Sequence, residues 1–147
     1  MTAARDAIDT LFGGDLWQAH ATLFAHRHPD ESAPAHVRLV QAINRPVPRL
    51  QAEGFRGIGK STYLEETAIL KAVAGDFHNM VVLGSSYSRA CDRLGAIKRE
   101  LEINRDIADL FGRQQGPVWQ EGRIVLANGV CIQALGRDQS ITGLKFR

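Results

Sequence analysis

One short segment, Gly54 to Thr62, limits what this chain can fold into more than any other. It reads Gly-Phe-Arg-Gly-Ile-Gly-Lys-Ser-Thr and fits the pattern G-x-x-x-x-G-K-S/T of loops that bind nucleotide phosphates. Glycine lets the backbone turn so that consecutive N–H groups face one anion, and a helix beginning near Lys60 adds its positive dipole end. The pattern therefore predicts a phosphate-binding loop, which needs a strand before it and a helix after it.

The side chains of this segment have expected roles toward ATP and Mg²⁺. Lys60 is expected to reach the β- and γ-phosphates, and the Ser61 hydroxyl is expected to take one position on Mg²⁺. The Thr62 hydroxyl lies where it would meet the α-phosphate. The predicted phosphate-binding residues are Gly54, Arg56, Gly57, Ile58, Gly59, Lys60, Ser61 and Thr62.

The flanking residues fit this context. Residues 48–53 are compatible with a short polar strand, and residues 62–74 carry apolar side chains at helical spacing, with Gly75 placed to end the helix. The apolar run 80–85 is rich in β-branched residues, which is typical of a strand buried on both faces. Strand, helix and strand at this spacing predict a βαβ unit with a right-handed crossover.

The N-terminal part of the chain follows a helical pattern. Gly13 and Gly14 interrupt residues 3–28, Asp15 is suited to cap the second helix, and a further amphipathic helix is expected around residues 37–43.

Three histidines lie in this region, but their spacing is not that of a recognised metal-ligand set. A polar helix face is therefore favoured over a metal site for His20, His26 and His28.

The C-terminal half alternates helix and strand signals. Ser85, Ser86 and Ser88 offer an N-cap for a helix, whose basic side chains are assigned to solvent rather than to DNA. Asn104 is suited to cap a short helix that Gly112 ends, and a polar loop follows as far as Trp119. The apolar seam of the longer helix comprises Ala90, Leu94, Ile97 and Leu101.

A hairpin is the clearest prediction near the C-terminus. Asn128-Gly129 separates two β-rich runs, 124–127 and 130–135, which is the strongest short hairpin signal in a sequence. Residues 136–147 are rich in glycine and polar residues and are expected to form a loop.

Composition bounds the class of protein. The chain has 147 residues, of which 44% are hydrophobic and 23% charged, as in an ordinary globular domain. A net charge of +2 is too small to argue for nucleic-acid binding.

Cys91 and Cys131 match no zinc spacing and are expected to be buried free thiols. Without an apolar run of membrane-spanning length or a secretory segment, a cytoplasmic location is expected.

An ATPase with this loop also needs a carboxylate at the end of a second buried strand. The run 80–85 ends in serine, and the run 124–127 leads into Asn-Gly. Asp76 follows the end of a helix and lies too close to Lys60 along the chain. The sequence therefore predicts a loop that binds phosphate but lacks the carboxylates needed for ATP hydrolysis.

Four segments together resemble the N-terminal part of the ATPase domain of the large terminase subunit of tailed bacteriophages. They are 55–62, 81–86 with the following helix, 104–119, and 128–144. Pro34-Ala35-His36 is also similar to members of that family. The resemblance implies an α/β fold of the P-loop NTPase type, with three αβα layers, an incomplete parallel sheet, a β-hairpin and N-terminal helices. Its expected division is a helical segment at 1–48 and a partial ATPase core at 49–147.

The resemblance also implies a function and partners. Large terminase subunits drive double-stranded DNA translocation with ATP, as a homo-oligomeric ring docked on the portal protein, with the small terminase subunit as a further partner. They act in the host cytoplasm and not at a membrane. Lys60 and Arg56 would be the catalytic residues, and Arg56 would sense or stabilise phosphate charge.

Two departures from the family pattern limit this expectation. Thr142 stands where family members commonly carry an arginine, and the sequence stops where the acidic strand should begin. This chain alone is therefore expected to bind nucleotide weakly at best and not to hydrolyse it. The alternatives are a vestigial, non-enzymatic P-loop remnant and a small nucleotide or metabolite kinase.

Overall fold

The structure is a computed structural model that describes residues 3–45, 47, 49–137 and 139. By internal contacts the chain divides into two compact units, Met1–Ala74 and Gly75–Arg147. The boundary that the sequence predicts between the helical segment and the ATPase core lies between residues 48 and 49. Thr142 and most of the predicted C-terminal loop lie outside the described residues. Within those residues, no helix has the length and apolar character needed to cross a membrane.

The first unit is built from helices, and local sequence explains where they end. Gly13 and Gly14 both take positive φ angles, 60° and 73°, which break the helical path. The Asp15 carboxylate accepts from the Trp17 N–H at 2.9 Å and caps the next helix, as predicted. The elements are α1 (Ala3–Phe12), α2 (Leu16–Leu23), a short 3-10 helix (Ala25–Arg27), α3 (Pro34–Ile43) and α4 (Lys60–Ala74).

Helix α4 is the central element of this unit, because α1, α2 and α3 all pack against it. Its inner face buries Ile69 and Val73, as predicted from their spacing, together with Leu70. It also buries Glu66, a residue type that is rarely found inside a protein. The other helices contribute Ile8, Leu16, Leu23 and Val40 to the same core, and the turn after α2 contributes Phe24.

The second unit is an α/β unit with a four-stranded sheet in the order β1-β4-β3-β2. Strand β1 pairs with β4 in parallel, while β4–β3 and β3–β2 are antiparallel, so the sheet is mixed. Helix α5 packs on β1 and β4. The elements are β1 (Asn79–Gly84), α5 (Tyr87–Ile103), α6 (Arg105–Phe111), β2 (Gln115–Trp119), β3 (Arg123–Leu126) and β4 (Cys131–Gly136).

The predicted caps and the predicted turn of this unit are confirmed. Ser86 Oγ accepts from the N–H of Arg89 at 3.3 Å, and Asn104 Oδ1 accepts from the N–H of Ile107 at 3.0 Å. Gly129, with φ of 87°, turns the hairpin between β3 and β4. The seam of α5 is buried at all four predicted positions, namely Ala90, Leu94, Ile97 and Leu101. The α/β class is thus confirmed.

Three predictions about strands are wrong. Residues 49–53 form neither helix nor strand, so the expected βαβ unit lacks its first strand. Strand β1 is only half-buried, with Leu83 64% exposed, because it lies at the end of the sheet and not in its centre. Residues 115–119 were expected to belong to a polar loop, yet they form strand β2, because an edge strand tolerates Gly116 and Pro117.

Candidate phosphate-binding site and the adjoining histidine cluster

The backbone of the loop has the conformation that its glycines permit. Gly57 and Gly59 take φ angles of 93° and 82°, in the left-handed region where residues with a Cβ are strained. Helix α4 begins at Lys60, and the Tyr63 N–H donates to the Gly59 carbonyl at 3.1 Å as its first bond. The N–H groups of residues 60–62 precede that bond, so they are the unpaired donors of a helix N-terminus. The predicted helix after the loop is confirmed.

The Lys60 side chain folds back over the start of the loop. Its Nζ donates to the carbonyl oxygens of Gly54 at 2.7 Å and Phe55 at 3.0 Å. Arg56 and Ser61 are exposed, and Thr62 is half-buried. The ammonium group therefore lies against the backbone at the start of the loop, and Ser61 is open to solvent.

His36, in the first turn of α3, holds this loop in place. Its Nε2–H donates to the Ile58 carbonyl at 2.6 Å, and its Nδ1 accepts from the Ala33 N–H at 3.1 Å. These two bonds define the neutral Nε2–H tautomer of the ring. The ring also stacks on Tyr63, with centroids 4.2 Å apart and planes 13° apart. Sequence reasoning assigned no role to His36, because the bond joins residues 22 positions apart.

A cavity of about 330 Å³ opens beside the loop. This volume falls within the range of about 300–1,000 Å³ of small-molecule sites. Gly57, Gly59 and Thr62 of the loop line it, together with Arg27 and His28. Asp30 and Glu31 also line it, so the cavity carries both signs of charge. The predicted loop residues therefore border a space that a ligand can enter.

Tyr63 connects the loop to a second group of polar residues. It is buried, with 4% of its surface exposed, and its hydroxyl shares a hydrogen bond of 2.7 Å with Ser32 Oγ. Its ring stacks on His36 and, on the side of the α4 core, on His20 and His28, with centroid distances of 5.2 Å and 4.6 Å.

The second group, here called the histidine cluster, consists of His20, His28, Glu66 and Arg27. Glu66 Oε2 accepts from Nε2 of both imidazoles, at 2.7 Å in each case. Glu66 Oε1 lies 3.1 Å from Arg27 Nε. Glu66 is fully buried and His20 is 1% exposed. The expectation that these histidines form a polar helix face is therefore wrong for His20, although His26 is exposed.

The environment of Glu66 favours its ionised form. Burial by itself opposes the charge and would raise the pKa of the carboxyl group. The hydrogen bonds from His20 and His28, together with the charges of His28 and Arg27, outweigh that effect and hold the pKa of Glu66 below its ordinary value of 4.5. A buried carboxylate thus remains negative at neutral pH because two imidazole donors and the charge of Arg27 surround it.

The chain matches no family model, no curated protein sequence and no solved structure. The loop and the histidine cluster both lie within the first unit, Met1–Ala74. The sequence pattern pointed to the loop residues, whereas no pattern pointed to Glu66, whose partners lie 46 and 38 residues away along the chain.

Proposed function

We propose that residues 54–62 bind the phosphates of a nucleoside triphosphate. One observation carries the proposal: a loop with two left-handed glycines runs directly into a helix that starts at Lys60, with the lysine ammonium folded over it. Such a helix start offers unpaired N–H groups and a positive dipole end to an anion.

Binding would redistribute the bonds of Lys60. The ammonium now donates to two carbonyl oxygens, Gly54 and Phe55, and a phosphate would replace one or both as a stronger, charged acceptor. Ser61, next in the helix, would bind Mg²⁺ together with oxygens of the β- and γ-phosphates. His36 would keep the loop in its receptive shape through its bond to Ile58.

Within this class, we propose that the chain is the N-terminal part of the ATPase domain of a phage large terminase subunit. The support is the resemblance of four sequence segments, of which all but 128–144 lie wholly among the described residues. Transport of double-stranded DNA, docking on the portal protein and assembly into a ring belong to the proposed whole protein. Arg56, exposed at the tip of the loop, is proposed to meet phosphate charge.

One observation favours a second candidate, a vestigial fold that no longer binds nucleotide. Residues 49–53, which should form the strand supporting the loop, have no regular structure. A loop without that support would be less firmly preorganised, and preorganisation is a large part of affinity.

Titration calorimetry with Mg·ATP tests the proposal. The wild-type chain should bind, and Lys60→Ala should weaken binding by about 10- to 100-fold, since it removes one charge-assisted contact. Lys71→Ala, a change in the last turn of the same helix, is the matched control and should bind normally. Equal binding by the Lys60 variant would refute the proposal, and no binding by the folded wild-type chain would favour the vestigial candidate.

A further inference from the structure

We infer that His20, His28 and Glu66 form a binding site for a divalent transition-metal ion of the zinc type. The inference does not depend on nucleotide binding, since the phosphate-binding proposal uses none of these three side chains. Among the described residues, their ligand atoms all lie within 4.8 Å of one another.

The donor set fits such an ion. Both imidazoles direct Nε2 at the same carboxylate oxygen, Glu66 Oε2, at 2.7 Å. Two histidine nitrogens and one glutamate oxygen are the protein ligands of known zinc enzymes. Imidazole favours zinc and its neighbours over magnesium and calcium, which prefer oxygen ligands.

Metal binding requires each Nε2 to give up its proton. In a neutral ring that proton moves to Nδ1, and in a charged ring it leaves to solvent. Among the residues that the structure describes, the buried His20 Nδ1 has no hydrogen-bond partner, so a proton moved there breaks no existing bond. The metal ion then lies between the three ligand atoms. Without the ion, the protons of the two hydrogen bonds to Glu66 Oε2 lie there.

The surrounding charge suits a dication. Arg27 spans two carboxylates, with Nη1 donating to Glu65 Oε1 at 3.1 Å and Nε lying 3.1 Å from Glu66 Oε1. Two carboxylates and one guanidinium carry a net charge of minus one. Arg27 thereby places its charge on the Oε1 side of Glu66 and leaves Oε2 to ligate.

The rings are also held in place before any ion binds. The His20 ring stacks with both Trp17 and Tyr63, at centroid distances of 5.4 Å and 5.2 Å. A cavity of about 400 Å³, lined by both histidines and by Asp30, gives a path for the ion. It also provides room for a water molecule as the fourth ligand, as in open zinc sites.

The test uses the full chain, freed of metal by a chelator and then titrated with Zn²⁺ or Co²⁺ in the absence of nucleotide. We expect one equivalent of Zn²⁺ to bind, and Co²⁺ to develop the visible absorption of a four-coordinate nitrogen and oxygen site. His28→Ala should weaken Zn²⁺ binding by at least about 100-fold, since ligand loss exceeds the cost of losing an outer-shell partner. His26→Ala, which changes an exposed histidine two residues away, is the matched control and should bind normally.

Two outcomes would overturn the inference. One is a folded wild-type chain that binds no Zn²⁺ at micromolar concentration, and the other is a folded His28 variant that binds it as tightly as wild type. Because His28 is only half-buried, that variant should fold even where His20→Ala does not. Lys60→Ala should keep its zinc affinity, so failure of the metal site and failure of the phosphate site are separable.

Discussion

Replacing Glu66 by glutamine should destabilise the first unit strongly, although the two side chains have nearly the same shape. Glu66 is fully buried, accepts from two histidines and pairs with Arg27, whose side chain is 25% exposed. A hydrogen bond to a charged group is worth roughly 1 kcal/mol more than a neutral one. Two weakened hydrogen bonds and the lost ion pair with Arg27 together lower the free energy of unfolding by about 3 kcal/mol, close to the cost of breaking a buried ion pair.

Urea unfolding of the full chain with a chelator present would measure this loss. The two tryptophans lie in different units, so Trp119→Phe leaves Trp17, which stacks on His20, as a fluorescent reporter of the first unit. Glu65→Gln is the matched control, because Glu65 also pairs with Arg27 but has a side chain that is 17% exposed. This change should lower the free energy of unfolding by about 1 kcal/mol or less. A Glu66 variant that loses no more stability than this control would refute the interpretation of the cluster.

Three further predictions concern pH, the loop and the sheet. Folding lowers the pKa of Glu66, so the ionised carboxylate contributes to stability above about pH 4.5, and this contribution should be lost as the pH falls through the lowered pKa. Acid unfolding curves of the metal-free Glu66→Gln variant should not show this loss. His36→Ala removes the bond to Ile58, so hydrogen exchange of amides 57–60 should accelerate about 5- to 10-fold without nucleotide, and unchanged exchange would contradict the role of His36. Gly116→Ala places a methyl group against backbone oxygens of β3 and should cost about 1–3 kcal/mol in chemical unfolding, whereas Gly95→Ala, with open space around it, should be neutral or stabilising.

Sequence reasoning succeeded where a residue acts on its immediate neighbours. Asp15, Ser86 and Asn104 each cap the helix predicted from them, because an N-cap bonds to an N–H only two or three positions away. Asn128-Gly129 turns the predicted hairpin for the same reason, since the turn type depends on two adjacent residues. The start of α4 at Lys60 also follows from a local pattern.

It failed where distant residues decide the outcome. Residues 49–53 were expected to form a strand from their position before the loop, but their polar side chains supply little apolar surface to bury, and Leu50 is 47% exposed. Strand β2 forms despite Gly116 and Pro117 because β3 offers it an edge. The histidine cluster forms because α4 places Glu66 beside His20 and His28, which lie 46 and 38 residues away along the chain. No local sequence pattern encodes such a contact.

The most direct test of phosphate binding at residues 54–62 is an amide nuclear magnetic resonance titration of the full chain with Mg·ATP and, separately, with Mg·tripolyphosphate. The account predicts that both ligands shift the same amides, concentrated at residues 57–62, and that the shifts saturate and vanish in the Lys60→Ala variant. A folded chain whose loop amides do not move, or whose shifts lie elsewhere and survive the loss of Lys60, would contradict it.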